Sequence, residues 1–206
     1  RDLHSFPTRR SSDLRFSIVS MYLLDKYFVS AKEPNYSEGQ RLAALMLKAD
    51  PDNGRLRKLG KQLEGLKNSR LQVALPSFAA TDLKGRKISS SEMRGKVGVI
   101  TTWASWNYPS TEIQRRLRRL QRKYPNQLSL VSICLDGAKK EVQQRVDRDT
   151  LDWAVVWDGK LFETPLVQQL GLFVVPSVIV VNKQGKIVAR DLELNNVEQD
   201  IEKFLK

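Results

Sequence analysis

The apolar positions of this chain follow a helical period up to about residue 70 and a mixed pattern of strands and helices after it. In the first region, apolar side chains recur at spacings of three and four residues, which places them on one helix face. Two proline-containing turns interrupt the pattern, and Ser37 and Asn53 follow them as candidate helix caps. Residues 15–72 are therefore predicted to form a helical segment. Its three apolar stripes contain Phe16, Val19, Leu23 and Tyr27, then Leu42, Leu45, Met46 and Ala49, then Leu56, Leu59, Leu63 and Leu66.

The second region, residues 73–206, alternates short apolar runs of strand length with helix-period segments. An opening hairpin is followed by strand, helix, strand and helix, and the chain closes with a second hairpin and a helix. This order predicts an α/β domain with a mixed sheet covered by helices on both faces. The predicted strands span 96–102, 128–135, 177–181 and 186–190, and the predicted helices span 111–124, 142–148, 165–170 and 197–205.

The first fourteen residues, RDLHSFPTRRSSDL, read as the in-frame translation of a sequencing-library adapter. Such segments do not inform the fold and are set aside. The alternative is a natural basic, serine-rich tail. If the segment is an adapter, the natural N-terminus is missing, and the chain does not reveal whether a signal peptide, a lipid anchor or a further domain precedes it.

Charge and composition exclude many kinds of site. The net charge is +12, and it remains +11 without the first fourteen residues. The one histidine, His4, lies in that segment, so residues 15–206 contain no histidine for a catalytic triad or a zinc site. Cys134 is the only cysteine, which excludes an intramolecular disulfide and a zinc site made of cysteines alone. No metal and no cofactor is predicted, and no apolar run reaches the length of a membrane span.

The segment from Trp103 to Ser110 reads WASWNYPS and lies between a predicted strand and a predicted helix. It resembles the active-site turn of the thioredoxin-like superfamily, in which Trp-Cys-x-Pro-Cys opens a helix. The resemblance covers residues 73–206 and is closest to the TlpA- and ResA-like thiol–disulfide oxidoreductases, which are grouped with the AhpC/TSA, or redoxin, family. Three other segments match this family. They are residues 75–78 together with 82–85, residues 94–97, and a stretch that runs from residue 171 through 175–177 to 183–187.

The resemblance implies a thioredoxin-like fold whose two cysteine positions hold Asn107 and Ser110. Neither side chain can form a disulfide, so no catalytic residue is assigned. Thr101 stands where many thioredoxins have a buried acid. Val175-Pro176 matches the family's cis-proline loop, which faces the turn and offers backbone groups to an extended peptide. The expected binding residues are Trp106, Asn107, Tyr108, Pro109, Val175 and Pro176.

These observations favour a redox-inactive thioredoxin-fold protein that acts by binding a protein or peptide. The helical segment resembles the one that precedes the domain in some Gram-negative envelope proteins, which implies a periplasmic or envelope location. One alternative is a redoxin-like antioxidant enzyme that uses Cys134, although a buried small side chain is the simpler interpretation. Another is a basic scaffold for an anionic partner; nucleic acid is not expected, because no nucleic-acid motif is present. That scaffold would use Arg115, Arg116, Arg118, Arg119, Arg122 and Lys123.

Overall fold

The computed structural model describes residues 18–31 and 33–206. The chain divides into two compact units between Lys67 and Asn68. The proposed adapter segment and Phe16 lie outside the described residues, and the domain boundary after residue 72 stays a prediction. Among the helices of the described ranges, none is long and apolar enough to cross a membrane.

The first unit consists of helices around a small core of Leu24, Ala43 and Leu63. Gly39 allows close packing there, since a Cβ atom at this position would lie 3.2 Å from the Leu63 side chain. The helices are α1 (Ile18–Leu24), which continues into a π-helical turn (Asp25–Val29), α2 (Tyr36–Ala49) and α3 (Gly54–Asn68).

The caps of α2 and α3 agree with the sequence analysis at only one of two positions. Asn53 caps α3 by accepting hydrogen bonds from the N–H groups of Arg55 and Leu56, each at 3.1 Å. Ser37 does not cap α2, because it lies inside the first helical turn. The cap is Asn35, whose Oδ1 accepts the Glu38 N–H at 3.1 Å, since Asn35 directly precedes the first helical residue.

The second unit is built on a five-stranded mixed sheet in the order β5-β4-β3-β6-β7. The central strand β3 is parallel to β4 and antiparallel to β6, while β4 and β5 are parallel and β6 and β7 antiparallel. A separate hairpin, β1 and β2, precedes the sheet. The strands are β1 (Ala79–Thr81), β2 (Lys87–Ser89), β3 (Val97–Trp103), β4 (Leu128–Cys134), β5 (Ala154–Val156), β6 (Val178–Val181) and β7 (Ile187–Arg190).

Helices cover both faces of this sheet, and successive side chains of β3 point into the two cores. Val97, Val99 and Trp103 join the core beneath α4, α5 and α7. Ile100 joins the core on the opposite face, together with α6 and the hairpin. The predicted α/β fold with a mixed sheet is confirmed. The helices of this unit are α4 (Tyr108–Lys123), α5 (Lys139–Asp149), α6 (Pro165–Gln169) and α7 (Val197–Glu202).

Four elements differ from the sequence expectation: β5, α4, α5, which begins at Lys139 rather than at residue 142, and α7, which ends at Glu202 rather than at residue 205. The short strand β5 was not predicted, because three buried residues carry too little periodicity to separate a strand from a loop. Helix α4 begins at Tyr108 rather than at residue 111, because Asn107 provides the cap and Pro109 suits the first helical turn.

Candidate functional site

The turn between β3 and α4 is closed by hydrogen bonds from the residues at the two cysteine positions of the family. Asn107 has extended backbone angles, and its Oδ1 accepts the Ser110 N–H at 2.9 Å. This satisfies one of the N–H groups that every helix start leaves without an intrahelical partner. Asn107 therefore stabilises the start of α4 at the position where a reactive cysteine would use the same helix terminus.

Ser110 is fully buried, and its hydroxyl is occupied by the backbone of the turn. Its Oγ accepts the Ala104 N–H at 3.1 Å and lies 2.8 Å from the Asn107 carbonyl oxygen, to which it donates. The Ala104 carbonyl oxygen, 3.2 Å away, is a second acceptor for the same proton. A hydroxyl with these partners and no adjacent base is a structural group rather than a nucleophile.

The loop that contains Val175 and Pro176 lies opposite the turn. The Val175–Pro176 peptide bond is cis. The Asn107 Nδ2 donates to the Val175 carbonyl oxygen at 3.4 Å, which joins the turn to the loop. Thr102 anchors the loop from the end of β3, because its hydroxyl donates to the Val174 carbonyl at 2.8 Å and accepts the Ser177 N–H at 2.8 Å.

The six predicted binding residues are brought together at this place. We call them the turn surface: Trp106, Asn107, Tyr108, Pro109, Val175 and Pro176. Trp106 and Tyr108 each expose 67% of their surface, although both are large side chains that usually bury more. Pro109 is also exposed, and neighbouring Val174 exposes 59%. The turn surface therefore combines two aromatic side chains with the backbone of the cis-proline loop.

The position of the family's buried acid holds Thr101, which is almost fully buried and whose hydroxyl donates to the Thr102 carbonyl at 3.3 Å. A different buried carboxylate, Asp136, supports the turn from the end of β4. Its Oδ1 accepts the Ser105 N–H at 2.9 Å. Sequence analysis missed Asp136, although an acidic residue directly after an apolar strand was the available signal.

Cys134 lies in β4 with 2% of its surface exposed. Its thiol donates to the Asp136 carboxylate, with 3.4 Å between Sγ and Oδ2. Burial strongly raises the pKa of the Cys134 thiol, and the charge of Asp136 raises it further. Reactive cysteines require a low pKa and access to solvent. Cys134 has neither property.

The basic face of α4 is largely paired within the second unit. Arg116 donates to the Leu194 carbonyl at 2.7 Å, and Arg118 donates to the Asp149 carbonyl at 2.7 Å. Three further pairs lie close to the same helix: Arg115 with Glu112 at 3.4 Å, Arg119 with Glu198 at 3.0 Å, and Lys123 with Glu202 at 2.7 Å.

Except for Arg115–Glu112, which lies within α4, these pairs connect the helix to its neighbours. The hydrogen bond from Lys123 lowers the pKa of the Glu202 carboxyl below its ordinary value. The described residues contain no group of three or more histidine, cysteine, aspartate or glutamate side chains that could hold a metal ion.

Comparison with known proteins identifies the family of this chain. Residues 71–190 match the model of the AhpC/TSA family. Over 134 residues the chain is 24% identical to the thiol-disulfide oxidoreductase ResA of Bacillus thuringiensis, covering 64% of this chain and 74% of the relative. The thioredoxin-like protein YneN of Bacillus subtilis is 32% identical over 78 residues, which cover 37% of this chain and 46% of the relative.

Solved structures share the fold of the second unit. A thiol-disulfide oxidoreductase from Bacteroides fragilis aligns with a TM-score of 0.57 at 27% identity, covering 64% of this chain and 98% of that one. The thioredoxin domain of a Bacteroides vulgatus thiol-disulfide oxidoreductase aligns with a TM-score of 0.59 at 20% identity, covering 66% and 99%. With the family match over more than half of its length, the chain belongs to the AhpC/TSA family, and it has the thioredoxin-like fold of the ResA- and TlpA-like thiol–disulfide oxidoreductases.

Proposed function

We propose that this protein uses the thioredoxin-like fold to bind an extended peptide or protein segment without exchanging disulfides with it. The observation that carries the proposal is that the turn between β3 and α4 keeps its structure without reactive side chains. Asn107 and Ser110 preserve the helix start through hydrogen bonds, while two aromatic side chains beside them remain exposed. The chain therefore keeps the surface on which the family's substrates are expected and lacks the atoms that react with them.

The backbone beside the turn offers a docking edge for such a segment. The Val175 N–H has no hydrogen-bond acceptor among the residues that the structure describes. An extended peptide can accept this N–H with a carbonyl group, in the manner of an added strand. Trp106 and Tyr108 then supply apolar contact area, which is where binding energy concentrates at recognition surfaces.

Replacing both aromatic side chains is expected to remove most of this binding. The probe is the insulin B chain with carboxamidomethylated cysteines and a fluorescent label, which is an extended apolar peptide without thiols. Its binding is measured by fluorescence anisotropy. The double variant Trp106→Ala/Tyr108→Ala should weaken the dissociation constant at least about tenfold, because truncated aromatic anchors commonly cost more than 1 kcal/mol each.

Tyr27→Ala is the matched control. Tyr27 is an exposed aromatic of the helical unit, 60% accessible, and it lines an apolar cavity of that unit. The control should bind the probe as tightly as the unchanged protein. An equal loss in Tyr27→Ala, or none in the double variant, would contradict binding at the turn surface.

The two alternative functions receive less support from the geometry. An enzyme that depends on Cys134 would need an accessible thiolate, whereas this thiol is buried and its pKa is raised. A scaffold for an anionic partner would need the basic side chains of α4, and most of them already have intrachain partners. Of the side chains proposed for that role, Arg122 has no partner among the described residues.

We further infer a location in the periplasm or cell envelope, supported by the resemblance to TlpA- and ResA-like proteins. Fractionation of the source cells with an antibody against the chain tests this inference. Recovery with cytoplasmic markers alone would contradict it.

A further inference from the structure

A polar cleft lies beside the turn surface and belongs to no site described above. We call it the α5 cleft, because four of its five lining residues project from α5. Its volume is about 430 Å³. Spacings of three and four residues place these four side chains on one helix face. The lining residues are Ser105, Glu141, Gln144, Arg145 and Arg148.

Arg145 fixes the position of the cleft relative to the turn surface. Its Nη2 donates to the Ser105 carbonyl oxygen at 3.2 Å, and Ser105 is bonded directly to Trp106. The Asp136 carboxylate holds the Ser105 N–H from the other side. The guanidinium group of Arg145 is therefore held one peptide unit from an exposed aromatic of the turn surface.

Among the residues that line the cleft, Arg145 and Arg148 carry positive charge and Glu141 alone carries negative charge. Asp149 is the carboxylate that faces this arginine cluster, and its side chain is only 8% exposed. It is shared by Arg115 at 3.8 Å, Arg145 at 3.7 Å and Arg148 at 3.6 Å. Glu112 also contacts Arg115, at 3.4 Å, and Glu141 is the one acidic residue that lines the cleft itself.

The donor groups of Arg145 are only partly used. Its side chain is 14% exposed, and Nη1 has no acceptor among residues 18–31 and 33–206. A partly buried guanidinium with unused donors favours a carboxylate, because the planar group can donate two parallel hydrogen bonds to it. Arg148, whose side chain is 64% exposed, adds a second positive charge at the mouth of the cleft.

We propose that the α5 cleft binds a side-chain carboxylate of the peptide that occupies the turn surface, so that the protein prefers extended peptides in which an acidic residue neighbours the apolar ones. This inference rests on the proposed peptide binding and specifies the class of peptide that is bound. The carboxylate binds against Arg145 and Arg148, while the apolar side chains of the same peptide contact Trp106 and Tyr108.

The test compares two forms of one probe in the full chain. The first form is the labelled, carboxamidomethylated insulin B chain, and the second is the same peptide with its carboxylates converted to carboxamides. The unchanged protein should bind the acidic form about fivefold to tenfold more tightly, as expected for a charge-assisted pair with arginine. This preference should fall as salt is raised.

Variants that remove a positive or a negative charge from the cleft test whether the preference for the acidic form arises there. Arg148→Gln should reduce the preference to about twofold or less and leave the affinity for the amidated form unchanged, and Arg145→Gln should reduce the preference as well. Arg148 is exposed, so its substitution is not expected to disturb folding. Glu141→Gln should increase the preference about twofold, because it removes the carboxylate that lines the cleft. Arg94→Gln removes the same charge at the opposite end of β3, from an exposed side chain, and should change nothing.

The outcomes separate this inference from the proposed function. If neither form of the probe binds the turn surface, peptide binding itself is wrong. If both forms bind equally, or if Arg94→Gln lowers the preference as much as Arg148→Gln does, the α5 cleft is not the carboxylate site. If free acetate or inorganic phosphate removes the preference at a concentration that leaves binding of the amidated form unchanged, the cleft accepts the anion. If neither anion competes above the effect of sodium chloride, the inference fails.

Discussion

Restoring the two cysteines is expected to convert this protein into a disulfide reductase. The variant Asn107→Cys/Ser110→Cys, made together with Cys134→Ser, contains these two thiols as its only cysteines. Side chains three residues apart at a helix start are neighbours, and Ser110 Oγ already lies 2.8 Å from the Asn107 carbonyl oxygen. We expect an intramolecular disulfide under mild oxidation and measurable reduction of insulin by dithiothreitol.

The helix start supplies the reason for this expected activity. A thiolate at position 107 would lie at the N-terminus of α4. There the helix dipole and the backbone N–H of residue 110 favour negative charge. We expect the pKa of this thiol to lie below about 8. A thiol at position 110 would be buried, as the serine is, and would resolve the mixed disulfide. The rate should remain below that of a native reductase, because Thr101 provides no carboxylate for proton transfer.

Asn107→Cys alone, in the same Cys134→Ser background, is the control for this experiment. It has one thiol, and it should form no intramolecular disulfide and should not turn over. If the two-cysteine variant also forms no disulfide, the turn does not have the geometry of a thioredoxin active site, and the description of Asn107 and Ser110 as replacements for reactive cysteines is wrong.

The thiol of Cys134 in the unchanged protein should react with dithiobis(nitrobenzoate) at least about a hundredfold more slowly in the native state than in guanidinium chloride. Two effects act in the same direction. The thiolate is the reacting species, and burial raises the pKa of this thiol, so little thiolate is present at neutral pH. The reagent must also reach a side chain that is 2% exposed.

The pH dependence of labelling shows whether the slow reaction arises from the state of the thiol or from a reagent that reacts slowly with any thiol. In the unfolded chain the rate should rise as pH passes through about 8.5, the ordinary pKa of a cysteine. In the unfolded chain the rate should level off above that pH, because the thiol is then almost fully ionised. In the native protein the levelling-off should be absent, because a raised pKa moves ionisation to more alkaline pH. Native labelling within about tenfold of the unfolded rate would show an accessible thiol and would return Cys134 to consideration as a peroxide-reactive group.

The parts of the fold that were predictable from sequence are those fixed by local chemistry. The apolar run of β3 and the stripe of α4 are neighbours in sequence, so periodicity indicates the strand–turn–helix unit directly. The prediction that Ser37 caps α2 failed for the same local reason, because Asn35 is an equally suitable cap one residue before the helix.

Features that depend on contacts distant in sequence were not predictable. The carboxylate of Asp136 meets the Ser105 N–H across 31 residues, and Arg145 meets the Ser105 carbonyl across 40. The sequence around each of these residues does not indicate which residue it contacts. The pairing of Arg116 and Arg119 with the segment around α7 is likewise set by tertiary packing, and a helix read alone shows only a basic face.

The central claim is that the turn preserves the family's fold and binding surface without its disulfide chemistry. The measurement that tests it most directly is the reduction of insulin by dithiothreitol, followed as turbidity, with the unchanged protein beside its Cys134→Ser variant and the two-cysteine variant as positive control. We predict that the unchanged protein and Cys134→Ser give the uncatalysed background rate. A rate clearly above background that persists in Cys134→Ser would contradict the claim, because no thiol would then remain to account for it.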